Sequence, residues 1–240
     1  MRALYDLARK IPSFDFFSWL VMAKALGATK VVIDASCPKT DKWPEVQVME
    51  RVRSILLPGA ALAGLPVVEG ANGEDVAGAR IEDLVQFVAV GGRIKPLRTV
   101  LQPGMARYTV TLRKTQRAPG RDSNESAWRA FAADIGALTI EDYDVRPIGL
   151  HERMALYAGA EMNFFVNSGP SHLCVLAGYP AMIFCGHVCT SLFRRCGLPA
   201  GGKWPWMTDG QHLIWEPDEL PVLRRNFEEW HERAADFHRA

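Results

Sequence analysis

The chain has almost no surplus charge: 28 lysines and arginines against 27 aspartates and glutamates leave a formal net charge of +1 over 240 residues. That balance supplies no bulk field to attract nucleic acid or an acidic membrane, so any anion must be gripped locally. Cysteine is sparse and odd in number. The five residues, Cys37, Cys174, Cys185, Cys189 and Cys196, lack framework spacing and fit reduced thiols in a cytoplasmic protein. The apolar stretch Phe14 to Leu26 is too short to span a membrane and is interrupted by Asp15 and Lys24, so a soluble chain without a secretory signal is expected. GxxxxGK[ST], GxGxxG and HExxH are all missing, which removes the main support for kinase, dehydrogenase and metalloprotease readings. Cys185-Gly186-His187-Val188-Cys189 with Cys196 lacks the paired CxxC spacing of a zinc site. Neither a metal nor an organic cofactor is expected.

What is present is a large apolar fraction, 48% of residues, enough for one large α/β domain or two small ones. Apolar runs punctuated by Gly and Pro read as alternating strands and helices. In the first half the expected elements are a strand near Leu4 to Leu7, a helix from Phe14 to Leu26, a strand at Lys30 to Asp34, a helix from Glu45 to Leu57 stopped before Pro58-Gly59, and a third strand at Leu65 to Glu69. Ile81 to Val90 is ambiguous in period. In the second half, strands are expected at Tyr108 to Leu112, Leu138 to Ile140, Met162 to Val166, Pro180 to Cys185 and Gln211 to Glu216. Helices are expected at Glu125 to Ile135, Gly149 to Ala160 and Pro170 to Ala177, with Asp122-Ser123-Asn124 as a candidate cap. This grammar predicts an α/β protein of two small Rossmann-like units with mainly parallel sheets, residues 1–103 and 104–240. The amphipathic segment Leu220 to Phe237 is placed to cross back over the first unit.

The most informative stretch is Phe164 to Leu173, where an apolar run breaks at Asn167-Ser168-Gly169-Pro170-Ser171-His172 and reopens as a helix. A strand feeding a helix N-terminus at the carboxyl edge of such a sheet either holds a phosphate or simply connects two elements. Arg113, Lys114, Arg117 and Arg121 follow a strand end and read either as a diphosphate grip or as a solvated basic loop. His172 is placed to donate to a phosphate or sugar hydroxyl, or to pack on the sheet. Asp15 follows Ser13, a candidate N-cap, and reads as a general base toward an acceptor hydroxyl or as a carboxylate complementing a helix dipole. Asp34 carries the same ambiguity, and Asp142, Tyr143 and Asp144 read mainly as a polar capping loop. A hydrolase elbow at Ser168 with Asp209 and His212 fails, since Val166 and Pro170 stand where that turn needs glycines.

Asn167-Ser168-Gly169-Pro170-Ser171-His172, together with Gly149 to Ala160 before it, resembles the nucleotide-sugar-binding half of GT-B-type glycosyltransferases of the heptosyltransferase-like group. That group has an acidic residue where Asn167 stands, then a small hydroxyl residue, Gly, a variable pair and His. The resemblance implies that the Arg113 loop, with Lys114 and Arg117, and the turn residues Ser168, Gly169, Ser171 and His172 hold the diphosphate of a nucleotide-diphosphate sugar. It further implies that the Pro147 to His151 loop approaches the base, that the first half binds a glycan or small-molecule acceptor, and that Asp15 is the catalytic base. A non-catalytic nucleotide- or glycan-binding protein of the same fold is the alternative.

Overall fold

The computed structural model describes residues 1–40, 43–68, 72–76, 78–97, 106–115, 119–143, 148–186 and 188–237. The chain runs β1 (Arg2–Asp6), α1 (Asp15–Ala25), β2 (Lys30–Asp34), α2 (Glu45–Arg51), a π-helical turn at Val52–Leu56, α3 (Leu57–Leu62) and α4 (Ile81–Ala89). It continues with β3 (Tyr108–Lys114), a 3₁₀ turn at Pro119–Arg121, α5 (Glu125–Ile135), β4 (Leu138–Tyr143), α6 (Leu150–Gly159) and β5 (Met162–Val166). The last elements are α7 (Gly169–Leu176), β6 (Ala181–Phe184), α8 (Val188–Arg195), β7 (Gln211–Ile214) and α9 (Leu220–Phe237).

β1 and β2 form a two-stranded parallel sheet, and the other strands form a five-stranded parallel sheet in the order β4-β3-β5-β6-β7. The α/β class and parallel, Rossmann-like sheets expected from the sequence are observed. In the larger sheet the strand order reverses between β3 and β5. α5 and α9 pack on one face, through Trp128, Phe131, Leu223 and Phe227, while α6, α7 and α8 cover the other through Tyr157, Cys174, Val175 and Phe193. Helices leaving β3 and β5 toward opposite faces open a crevice beyond the carboxyl ends of those two strands, where open α/β sheets bind ligands.

α1 is nearly all apolar, and its residues Phe16 to Ala23 are buried. Its core is continuous with the larger sheet's layer, since Leu150 and Met154 of α6, Leu173 and Leu176 of α7 and Ala177 just after it belong to the same buried cluster as Tyr5, Phe17 and Trp19.

Three local expectations are revised. The helix begun at Glu45 does not stop before Pro58 but continues to Leu62, because the π-helical turn ahead of Pro58 absorbs the residue that cannot donate to the helical ladder. Gly59 then approaches α1 so closely that a Cβ would lie 2.8 Å from Phe17 Cε1. The third strand near Leu65 is reduced to one bridge, Val31 with Val67, flanked by Val31 N–H to Pro66 O (3.0 Å) and Val68 N–H to Val31 O (2.9 Å); Glu69 lies outside the described residues. Ile81 to Val90 resolves as helix, and α8 occupies a stretch the sequence left unassigned. No helix among the described residues is long and apolar enough to cross a membrane.

The cap of α5 comes from afar. Asp218 Oδ2 accepts both Asn124 N–H and Trp128 Nε1–H at 2.7 Å, joining the β7–α9 connection to the start of α5, while the Asn124 side chain makes no cap bond. Asp218→Ala should therefore lower stability by about 1–2 kcal/mol, read as a shifted urea midpoint with unchanged slope.

Candidate functional site

β5 is buried at all five positions, and Asn167 N–H extends its pairing to Phe184 O at 3.1 Å before the chain turns. Ser168 caps α7 in an extended conformation. Its Oγ accepts from Ser171 N–H (3.4 Å), Ser171 Oγ accepts from Ser168 N–H (2.9 Å), and the Ser171 hydroxyl donates to Ser168 O (2.8 Å). Both hydroxyls are buried and committed to holding the turn. Pro170 has no N–H, so of the first three helical residues Gly169 alone keeps a backbone N–H without a protein acceptor among the described residues.

Gly169 is also one of the points where the two halves of the chain touch. A Cβ there would meet Phe14 Cγ at 2.6 Å, so only glycine lets the residue preceding α1 lie against the head of α7. One turn on, Ser18 Oγ of α1 and His172 Nε2 of α7 are 2.7 Å apart. Two contacts with nearly equal offset in sequence mean that α1 and α7 run side by side in the same direction, with their N-termini together. Asp15, the first residue of α1, is thereby brought to the same edge. It is exposed, its N–H donates to Ser13 Oγ (3.2 Å), and its Oδ2 accepts from the Ser13 hydroxyl (3.0 Å). Tyr5 lies beneath, its phenol pushed well up by burial and by the negative charge of Asp15.

The basic loop is folded back onto β3. Ser123 Oγ accepts from Arg113 N–H (2.9 Å), and Ser123 N–H donates to Arg113 O (3.0 Å). Asp122 Oδ1 takes both Arg113 Nη1 and Thr115 N–H at 3.0 Å. Arg113 is largely buried in this clamp, and Lys114, exposed, reaches Glu125 at 3.5 Å. Among the described residues of the loop, Arg121 is the cation bonded to the α7 turn, its Nη2 donating to Asn167 O at 3.3 Å. Arg117 and Pro147 lie outside the described residues, and His151 is exposed on the first turn of α6.

The remaining candidates serve other contacts. Asp142 Oδ1 accepts from Arg153 Nη2 at 2.6 Å, and that fully buried guanidinium also donates to the Tyr157 phenol Oη (3.2 Å), which in turn meets Thr111 Oγ1 at 3.0 Å. Asp34 accepts from Ser36 N–H at 2.9 Å, which holds its carboxyl below the usual range. Asp209 is fully exposed beside Lys203, at 3.8 Å. No group of three or more potential metal ligands occurs among the described residues. An apolar hollow of about 340 Å³ between α3 and the Val67 bridge, lined by Leu57, Ala61 and Leu65 among others, carries none of the candidate polar side chains.

Two contributors were not singled out from the sequence. Arg121 stood among four basic residues with nothing to rank it, and its bond to Asn167 O becomes visible only in the folded chain. Ser18 carried a signal of its own, a lone hydroxyl inside the apolar run Phe16 to Ala23, which demands a buried partner.

Burial lowers the His172 pKa to about 4. Protonation below the unfolded value near 6.5 thus favours the unfolded chain, and stability should be constant above that pH and fall as pH drops from about 6.5 toward 4. The wild-type slope in that window, measured by urea titration, should be reduced in His172→Gln. Gly169→Ala should cost about 1–3 kcal/mol through overlap with Phe14, and Phe14→Ala in the same chain should recover part of the loss.

No family model matches the sequence, and no curated protein is detectably similar to it. Solved structures do share its fold. Escherichia coli heptosyltransferase WaaC with ADP superposes with a TM-score of 0.50 at 14% identity, over 95% of this chain and 99% of that one. The same enzyme with ADP-2-deoxy-2-fluoro heptose superposes with a TM-score of 0.50 at 13% identity, over the same shares. At such identity the likeness is one of fold, a GT-B-like arrangement of Rossmann-type units.

Proposed function

We propose that the chain is a glycosyltransferase-like enzyme that binds a nucleotide-diphosphate sugar at the head of α7 and transfers the sugar to an acceptor hydroxyl held by residues 1–103. The observation carrying this reading is the joined start of α1 and α7, which brings Asp15 to the edge where Gly169 N–H and Arg121 converge. An oriented backbone N–H, the positive end of the α7 dipole and a guanidinium suit a diphosphate. The reversal of strand order between β3 and β5 supports the same location. Similarity of fold to a structure solved with ADP, and to one solved with an ADP-heptose analogue, adds to it.

In this scheme the bond between the anomeric carbon and the diphosphate oxygen breaks as the acceptor oxygen bonds to that carbon. The acceptor proton passes to Asp15, and the bonding electron pair leaves with the nucleoside diphosphate, whose charge Arg121 and the helix head offset. Arg113 acts by fastening the loop through Asp122, and Lys114 and Arg117 add positive charge along it. Ser168 and Ser171 shape the turn, and His172 braces it. Five free thiols, three of them buried, support a cytoplasmic setting.

One observation favours binding without turnover: Asn167, not an acid, begins the turn, and its carbonyl is already used by Arg121. Calorimetry with a panel of nucleoside diphosphates, and turnover assays with the matching sugars, separate the readings. Arg121→Ala should weaken nucleoside diphosphate binding about tenfold or more with little change in stability, whereas Arg113→Ala should lose both. Asp15→Asn should abolish transfer while leaving nucleotide affinity within about twofold. Absence of nucleoside diphosphate binding would sink the proposal, and binding without transfer from any donor sugar would leave the binding-protein reading.

A further inference from the structure

Ser18 is a polar residue in the middle of an apolar helix, and its side chain is fully enclosed. Its single hydrogen-bond partner among the described residues is His172 Nε2, 2.7 Å away on α7. A buried hydroxyl proton needs an acceptor, and leaving it without one forfeits the solvation that it had in the unfolded chain. If Nε2 carried the imidazole proton, Ser18 Oγ would accept it and the serine's own hydrogen would face apolar neighbours. If Nε2 is bare, Ser18 donates to it and both groups are satisfied. A neutral imidazole has one protonated and one bare nitrogen, so the proton then sits on Nδ1. Burial keeps the ring neutral at ordinary pH. Trp206, edge-on at 6.2 Å and 72°, limits the ring's freedom to turn.

We infer that Ser18 is a positioning residue that holds His172 as the Nδ1–H tautomer, so that the ring offers a neutral N–H to an anionic ligand at the head of α7. The ligand's identity rests on the nucleotide reading above; the tautomer does not. The free side chain in water favours the opposite form, Nε2–H, so the assignment is a reversal that can be observed directly. It also divides the work at the turn: His172 supplies a directed hydrogen bond without charge, and the charge complement to a diphosphate falls to Arg121.

The test uses the full chain labelled with 15N-histidine, with long-range 1H–15N spectra at pH 7 and His172→Gln to identify the signals. Wild type should show the Nδ1–H pattern for His172, and Ser18→Ala should shift it toward Nε2–H. Ser18→Cys, similar in size and a weaker hydrogen-bond donor, should fall between. ADP, used as the probe in calorimetry, should bind Ser18→Ala about three- to tenfold more weakly than wild type. A wild-type Nε2–H pattern, or identical patterns in wild type and Ser18→Ala, overturns the assignment. Equal ADP affinity in the two chains overturns donation to the ligand. Failure of wild type to bind ADP defeats the nucleotide reading, while the spectra still decide the role of Ser18.

Discussion

The packing of α1 against α7 is the contact on which the rest of the site depends. It exists because Gly169 has no side chain, so that the Phe14 ring can occupy the space where a Cβ would project. The Ser18 to His172 hydrogen bond then sets the register of the two helices one turn further along. Protein interiors are close-packed and resist small displacements, so a contact of this tightness fixes the position of Asp15 relative to the α7 turn more firmly than a loop could. The shared core of Tyr5, Phe17, Trp19, Met154 and Leu173 reinforces it from below.

The larger sheet contributes the second constraint. With the order β4-β3-β5-β6-β7, the connections after β3 and β5 leave in opposite directions, and the segments that begin them are the Arg113 to Arg121 loop and the Ser168 turn. Asp122 gathers Arg113 and Thr115, closing the loop on its own strand, and that closure presents Arg121 to Asn167. The committed polar groups matter as much as the exposed ones. Because Ser168 and Ser171 bond each other, the turn is braced before any ligand arrives, and what the head of α7 offers outward is the Gly169 N–H, the Arg121 guanidinium, the helix dipole and the His172 N–H inferred above.

Much of the architecture was legible because the second half obeys simple periodicities. Met162 to Val166, Glu125 to Ile135 and Leu220 to Phe237 were readable to the residue, since apolar runs and helical faces there coincide with clear stops. The misreadings occurred where local signals yield to tertiary packing. Pro58 looked like a terminator, yet burial of Leu56, Gly59 and Ala60 against α1 favours continuing the helix through a π-helical turn. The cap of α5 looked local, yet Asp218, far along the chain, provides it. Within the site, the turn itself was readable from its strand-to-helix grammar, whereas the division of labour among the arginines was not.

The sequence by itself determined the alternation of strand and helix, the absence of bulk charge, and the position of a turn at Asn167 to His172, because each follows from the local order of apolar, small and charged residues. Only the tertiary structure decided which groups meet there. Ser18, Phe14 and Asp15 precede Gly169 by about 150 positions, and Arg121 is one of several equivalent cations in its loop. Their convergence depends on how two helix heads pack and how one carboxylate folds a loop back, and such contacts between distant residues leave no periodicity in the chain that forms them.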